Sequence, residues 1–214
     1  MKFTNLNWLV DTSKYRHIYA MNNPSMDVDI YQWYDDDGTD ETDSSTIGSV
    51  SSTNDFDVSS GNVLAQLRCN VSESGGSNAA SQTYTLEFNI GGAGWNAIGA
   101  ASTGCIYHDS SKLTDGNATT ERLAGGGTFS GTSGQVETGV SAARIINSNN
   151  DCEFVYTVAF VAADLTDLDS IDFRVVGSAG GTSAVTMTVT PNATITKTGG
   201  ASDPVLFRRR IEGN

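Results

Sequence analysis

Val63–Val71, VLAQLRCNV, and Thr83–Ile90, TYTLEFNI, decide the fold class. In the first, Val63, Ala65, Leu67, Cys69 and Val71 alternate with Leu64, Gln66, Arg68 and Asn70. In the second, Tyr84, Leu86, Phe88 and Ile90 alternate with Thr83, Thr85, Glu87 and Asn89. Successive side chains of a strand point to opposite faces, so a period of two with one apolar row predicts antiparallel strands buried on one side. The loop ESGGSNAAS at 73–81 joins them. Gly91-Gly92-Ala93-Gly94 then turns the chain into Trp95, Ala97 and Ile98, the return arm of a hairpin.

Upstream, IYQWY at 30–34 predicts a short strand that runs into Asp35-Asp36-Asp37-Gly38. Residues 38–54 are rich in Ser, Thr and Asp, with Ile47 and Val50 as isolated apolar anchors. Downstream, residues 99–135 predict loops, with Gly125-Gly126-Gly127 and SGTSG at 130–134 punctuating the chain around Phe129. Strands are expected again at 136–140 and 144–146. CEFVYTVAFVA at 152–162 is apolar on both faces, which predicts a central strand or one covered by another element. The stretch 164–169 reads as one helical turn or a loop. Ile171, Phe173 and Val175 form the next strand, with Asp172 and Arg174 outward. Val185, Met187 and Val189 alternate with threonines, and Ala193 and Ile195 extend this last strand. About eight to ten strands with one apolar face each predict an all-β, antiparallel two-sheet sandwich, jelly-roll or Ig-like. The expected layout is an N-terminal arm or edge segment over 1–26, the sandwich over 27–197 and a basic tail over 198–214.

Charge is unevenly placed. The chain carries a net charge of −13 and has a pI near 4.3. Residues 1–23 hold Lys2, Lys14 and Arg16 against Asp11, and residues 205–214 hold Arg208, Arg209 and Arg210 against Glu212. Residues 24–204 hold six basic against 23 acidic residues, a net −17 between two ends of +2 each. An acidic body disfavours nucleic acid as a partner, because phosphate binding needs a positive face. No apolar run approaches the roughly 20 residues that span a bilayer, so no membrane is expected. The opening MKFTNLNWLVDTSKYRH lacks the long apolar centre of a secretory signal, which predicts synthesis in a cytoplasm without classical export.

The chemistry-bearing residue types do not assemble into a catalytic or cofactor pattern, and no cofactor is expected. Asp35, Asp36, Asp37, Asp40, Glu41 and Asp43 form the densest carboxylate cluster. Hard cations take six to eight oxygens, but Trp33 stands where an EF-hand loop needs its first Asp, so a solvated acidic turn is the expectation. Asp164, Asp167 and Asp169 read as turn and cap residues. His108-Asp109-Ser110 holds the residue types of a hydrolase triad, yet neighbours in sequence cannot form that relay. Many carboxylate pairs exist, but Trp8, Trp33 and Trp95 are scattered rather than grouped as a sugar platform. The N-x-S/T sequons at Asn70, Asn117 and Asn192 are what a chain rich in Asn, Ser and Thr carries by chance. Cys69, Cys105 and Cys152 are odd in number and widely spaced, which excludes a disulfide framework or a zinc spacing. Cys69, in its apolar row, is expected as a buried thiol.

The interaction residues lie at the ends. Trp8, Tyr15, Arg16 and Tyr19 sit in an aromatic-rich segment closed by Asn22-Asn23-Pro24, and Phe207 and Ile211 flank Arg208-Arg209-Arg210. Apolar groups of this size mark contacts when exposed, and Arg forks carboxylates bidentately. These residues predict docking onto an acidic protein surface or a neighbouring copy.

Taken in order, IYQWYDDDGTDETD at 30–43, residues 61–72, Gln82–Ile98, LTDGNATTERL at 113–123 and Glu153–Val189, ending in the T-V-T-P step at Thr188–Pro191, resemble a β-sandwich domain common in tailed-phage structural proteins. The resemblance covers about 28–195. It implies a virion component without enzymatic activity, and it supplies no ligand residues. The expected function is a capsid decoration, or cement, protein that binds the major capsid protein or another virion protein, forms homo-oligomers and bridges neighbouring shell subunits. The alternatives are a tail-fibre adhesin that binds a host glycan through the loops 72–82, 124–135 and 147–151, and a neck or tail structural subunit.

Overall fold

The computed structural model describes residues 22–40 and 45–198. They form two packed sheets, the all-β sandwich expected from the alternation. In chain order the strands are β1 (Met26–Asp35), β2 (Thr46–Ile47), β3 (Asn54–Asp57), β4 (Val63–Glu73), β5 (Tyr84–Ile90), β6 (Asn96–Ala97), β7 (Cys105–Ile106), β8 (Thr128–Phe129), β9 (Gln135–Val136), β10 (Asn150–Phe160), β11 (Ser170–Gly177), β12 (Val185–Met187) and β13 (Asn192–Thr196). A single 3-10 turn at Gly181–Ser183 is the only helical element among the described residues.

The larger sheet runs β12-β1-β4-β10-β7, with β2 added to β1 and β8 and β9 added to β10. The smaller runs β3-β13-β11-β5-β6. The long pairings are antiparallel: Tyr31 faces Cys69, Trp33 faces Leu67, and Phe154 faces Cys69 from the other side of β4. The margins differ from the purely antiparallel expectation, because β12 joins β1, β3 joins β13, and β8 and β9 join β10 in parallel. A parallel neighbour arrives by a crossover rather than a hairpin, and none of these pairs is joined by a tight turn.

The core fills the space between the sheets. Trp33 is fully buried, with ring centroids 5.1 Å from Phe56, 5.7 Å from Phe160 and 5.2 Å from Phe173, and its indole Nε1 donates to Asn192 O at 3.2 Å. The edge-on contacts suit the quadrupoles of the rings, and the indole N–H has the partner that burial demands. The apolar rows of β4, β5 and β11 all face this core.

Folding changes two expectations and settles the open one at 164–169 as a loop. The 136–140 and 144–146 strands reduce to β9 and to isolated bridges, Thr85 with Val140 and Gln82 with Arg144, because Gly139 at φ +76° breaks the extended run. The 164–169 stretch is a turn in which Asp169 accepts from Thr166 N at 2.7 Å and Thr166 Oγ1 at 2.8 Å. The single last strand is two. β12 lies in the larger sheet and β13 in the smaller, and the chain crosses between the sheets at Thr188–Pro191. Pro191 lacks the N–H a continuing ladder needs. Its carbonyl instead accepts from Phe173 N at 2.7 Å, and Val28 O receives Thr188 N and Val189 N.

Outside the larger sheet lies a further layer. Residues 108–125 cross its outer face, so β4 and β10 are buried on both sides. For β10 this is the covered strand its composition predicts. For β4 it is not, because its outward row is Gln66, Arg68 and Asn70, and all three are buried.

Candidate functional site

The residues expected to grip a partner, Trp8, Tyr15, Arg16, Tyr19, Phe207, Arg208, Arg209 and Arg210, lie outside the described residues, as do positions 41–44 of the acidic loop. The described part of that loop is committed internally. Asp36 Oδ1 accepts from Gln66 Nε2 at 2.8 Å and Ser110 Oγ at 2.6 Å. Asp37 accepts from Ser45 N at 2.9 Å and Ser45 Oγ at 2.8 Å, and these bonds hold its carboxyl below the ordinary range. Asp40 is buried: it pairs with Arg68 and accepts from Thr120 N at 2.7 Å. The expectation of a solvated turn fails at Asp40, because the layer over the sheet closes on it.

Arg68 is the centre of that closure. Its guanidinium, 1% exposed, donates to Asp40 and Glu153 and, at 2.9 Å, to Thr120 O. Glu153 Oε1 also accepts Arg122 N at 2.8 Å and Leu123 N at 2.6 Å. Burial raises the Glu153 carboxyl above its ordinary value, and Arg68 opposes that rise. Arg122 and Arg68 lie 4.9 and 5.9 Å from the Tyr34 ring centre. One strand face thus holds the 119–123 segment by charge and backbone hydrogen bonds together, which a buried ion group requires.

His108, Asp36 and Ser110 do meet in space, but in the wrong order for a Ser–His–Asp relay. Asp36 sits between the other two, with His108 Nε2 3.7 Å from Oδ2 and Ser110 Oγ on Oδ1. A relay needs the imidazole between hydroxyl and carboxylate. The three cysteines are free and buried, Cys69 among them as expected, and burial pushes all three thiols up, Cys152 to about 12. On the smaller sheet's outer face, Arg174 stacks 4.4 Å from the Trp95 ring centre and pairs with Glu87 at 2.6 Å. This is the one Trp among the described residues with a surface face, at 37% exposed.

The three loops named for a glycan contact converge at one end of the larger sheet. Ser148 N donates to Asn78 Oδ1 at 2.9 Å, Asn149 N to Glu73 Oε2 at 2.9 Å, and Thr128 N to Asn149 O at 3.0 Å. Between them lies a cleft of about 200 Å³ lined by Asp29, Ser72, Glu73, Ser74, Gly126, Gly127 and Asn149. Burial acts to raise Glu73, but backbone N–H groups of Asn149, Ser25, Gly75 and Gly76 outweigh it and hold this carboxyl below its ordinary range. Sequence spacing does not single out Asp29. It enters the site through a bulge, since β1 slips register against β4 between Val28 and Ile30.

Among the described residues no three His, Cys, Asp or Glu converge on a metal position, and no helix is long and apolar enough to cross a membrane. Comparison with known proteins finds no matching family, no matching curated protein and no matching solved structure.

Proposed function

We propose that this chain is a non-enzymatic structural subunit of a tailed-phage virion, a decoration protein whose sandwich stands on the capsid shell while its basic ends reach neighbouring subunits. The observation that carries this reading is the division of charge. Of the six basic residues between 24 and 204, Arg68 and Arg174 are paired with carboxylates, Arg122 stacks on Tyr34, Arg144 donates to Ser130 O at 2.8 Å, and Lys197 Nζ donates to Ala162 O and Leu165 O at 2.6 and 2.8 Å, while Lys112 is exposed. The body therefore commits five of its six cations to internal contacts, against 23 acidic residues. The remaining six basic residues belong to the sequence ends. Many copies on a lattice convert weak contacts of such ends into firm attachment through effective concentration.

The test deletes 205–214 and follows co-sedimentation with particles. Loss of association with an unchanged melting curve supports the reading. Full occupancy without these residues refutes the Arg segment as anchor. A second reading, an adhesin on a tail fibre, draws on the convergence of the three loops at one end. Binding of the purified chain to host glycan, abolished by trimming 124–135, supports that alternative. Locating the chain by cryo-electron microscopy on the head, or instead at the neck or tail tip, separates the two.

A further inference from the structure

We infer that the outer face of the larger sheet binds a divalent cation of calcium's size, held by Asp29, Asn70, Ser72 and Asp151 beneath the loop at 124–127. The inference is independent of the virion reading. Register brings these residues together from three strands. Asp151 on β10 faces Ser72 on β4, Ile30 on β1 faces Asn70, and the bulge before Ile30 turns Asp29 toward Ser72, whose Oγ is 3.5 Å from Asp29 Oδ2. Asn70 Nδ2 donates to Asp151 Oδ2 at 2.8 Å, which orients both side chains.

The second observation is the state of the remaining oxygens. Asp29 Oδ1, Asn70 Oδ1 and Asp151 Oδ1 are each buried without a hydrogen-bond partner. Asn70 and Asp151 are both 0% exposed. Buried acceptors are normally satisfied, and three orphaned oxygens on one patch call for a single shared partner. Two are carboxylate oxygens, and neither Lys nor Arg lines the adjoining cleft. A doubly charged cation satisfies all three and balances two carboxylates. An all-oxygen set drawn from carboxylate, amide and hydroxyl suits a hard cation, and calcium's irregular shell of six to eight ligands tolerates this mixture better than magnesium's octahedron. Gly126 and Gly127 line the cleft with backbone alone, so peptide groups and water are at hand to complete the shell.

The ion would tie β1, β4 and β10 at the end where the three loops meet. The test uses the full chain stripped on a chelating resin. Calcium chloride is added during calorimetric titration and thermal melting, with magnesium chloride and ionic-strength-matched potassium chloride as comparators. The expected result is saturable binding of one calcium per chain and a rise in Tm of roughly 5–10 °C at a hundredfold excess over Kd. Asp29→Asn and Asp151→Asn should each remove the calcium-dependent increment. Asp29 is partly exposed, so its variant is the one expected to fold without the ion. Absence of binding heat and of a Tm change overturns the proposal and leaves water as the partner of these oxygens. A shift matched by potassium chloride, or one undiminished in both variants, overturns it equally.

Discussion

Replacing Arg68 with Met removes the cation from a sealed group of charges and keeps most of its volume. Asp40 would retain Thr120 N, and Glu153 would retain Arg122 N and Leu123 N, but each carboxylate would lose its charged partner and Thr120 O would lose its donor. Breaking a buried ion pair by deleting one member costs about 3–5 kcal/mol, because the other charge stays buried. At roughly 2–4 °C per kcal/mol for a chain of this size, Tm should fall by about 6–20 °C. The pH dependence follows from the same geometry. Burial already raises the Glu153 carboxyl, and Arg68 is the largest influence lowering it. Without Arg68 the folded-state value climbs further above the unfolded one. The folded state then holds a proton that the unfolded state has released, so stability rises as pH falls through that window. The Arg68→Met deficit should therefore shrink from neutral pH toward the ordinary carboxylate range. Denaturant melts across pH, with Glu153→Gln and the double variant completing a cycle, measure both effects, and the double should cost less than the sum. A loss under about 1 kcal/mol, the scale of an exposed pair, would refute the claim that the 108–125 layer seals this face.

Gly125→Ala should lower stability by about 1–3 kcal/mol through overpacking, since a Cβ there meets Asp151 Oδ2 at 1.7 Å and Asn70 Nδ2 at 2.6 Å. Gly126→Ala, where a Cβ meets nothing within 4 Å, should be neutral or stabilising by up to about 1 kcal/mol. Equal melting curves for the two would show that the loop does not rest on the sheet. The three thiols should resist a disulfide reagent in the native protein and all react in denaturant, because burial disfavours the thiolate. Rapid native labelling of Cys69 would contradict its place in the core.

The sequence by itself determined the strands whose two faces differ. The apolar rows of β4, β5 and β11 are local facts of a period of two, and the two-sheet sandwich follows because each row needs cover. The doubly buried run at 152–162 announced a covered strand in the same way. Tertiary structure alone decided what covers it. Nothing local in Gln66, Arg68 and Asn70 distinguishes an exposed polar face from one roofed by a segment some 50 residues later, since solvent and buried partners satisfy the same hydrogen-bonding groups. The split of β12 from β13 was half visible in Pro191, but the choice of different sheets depends on which edges were free. The Asp29–Asn70–Ser72–Asp151 patch was invisible to spacing. It arises from a one-residue bulge and two long-range registers, and a register slip of one residue would turn these oxygens away from one another.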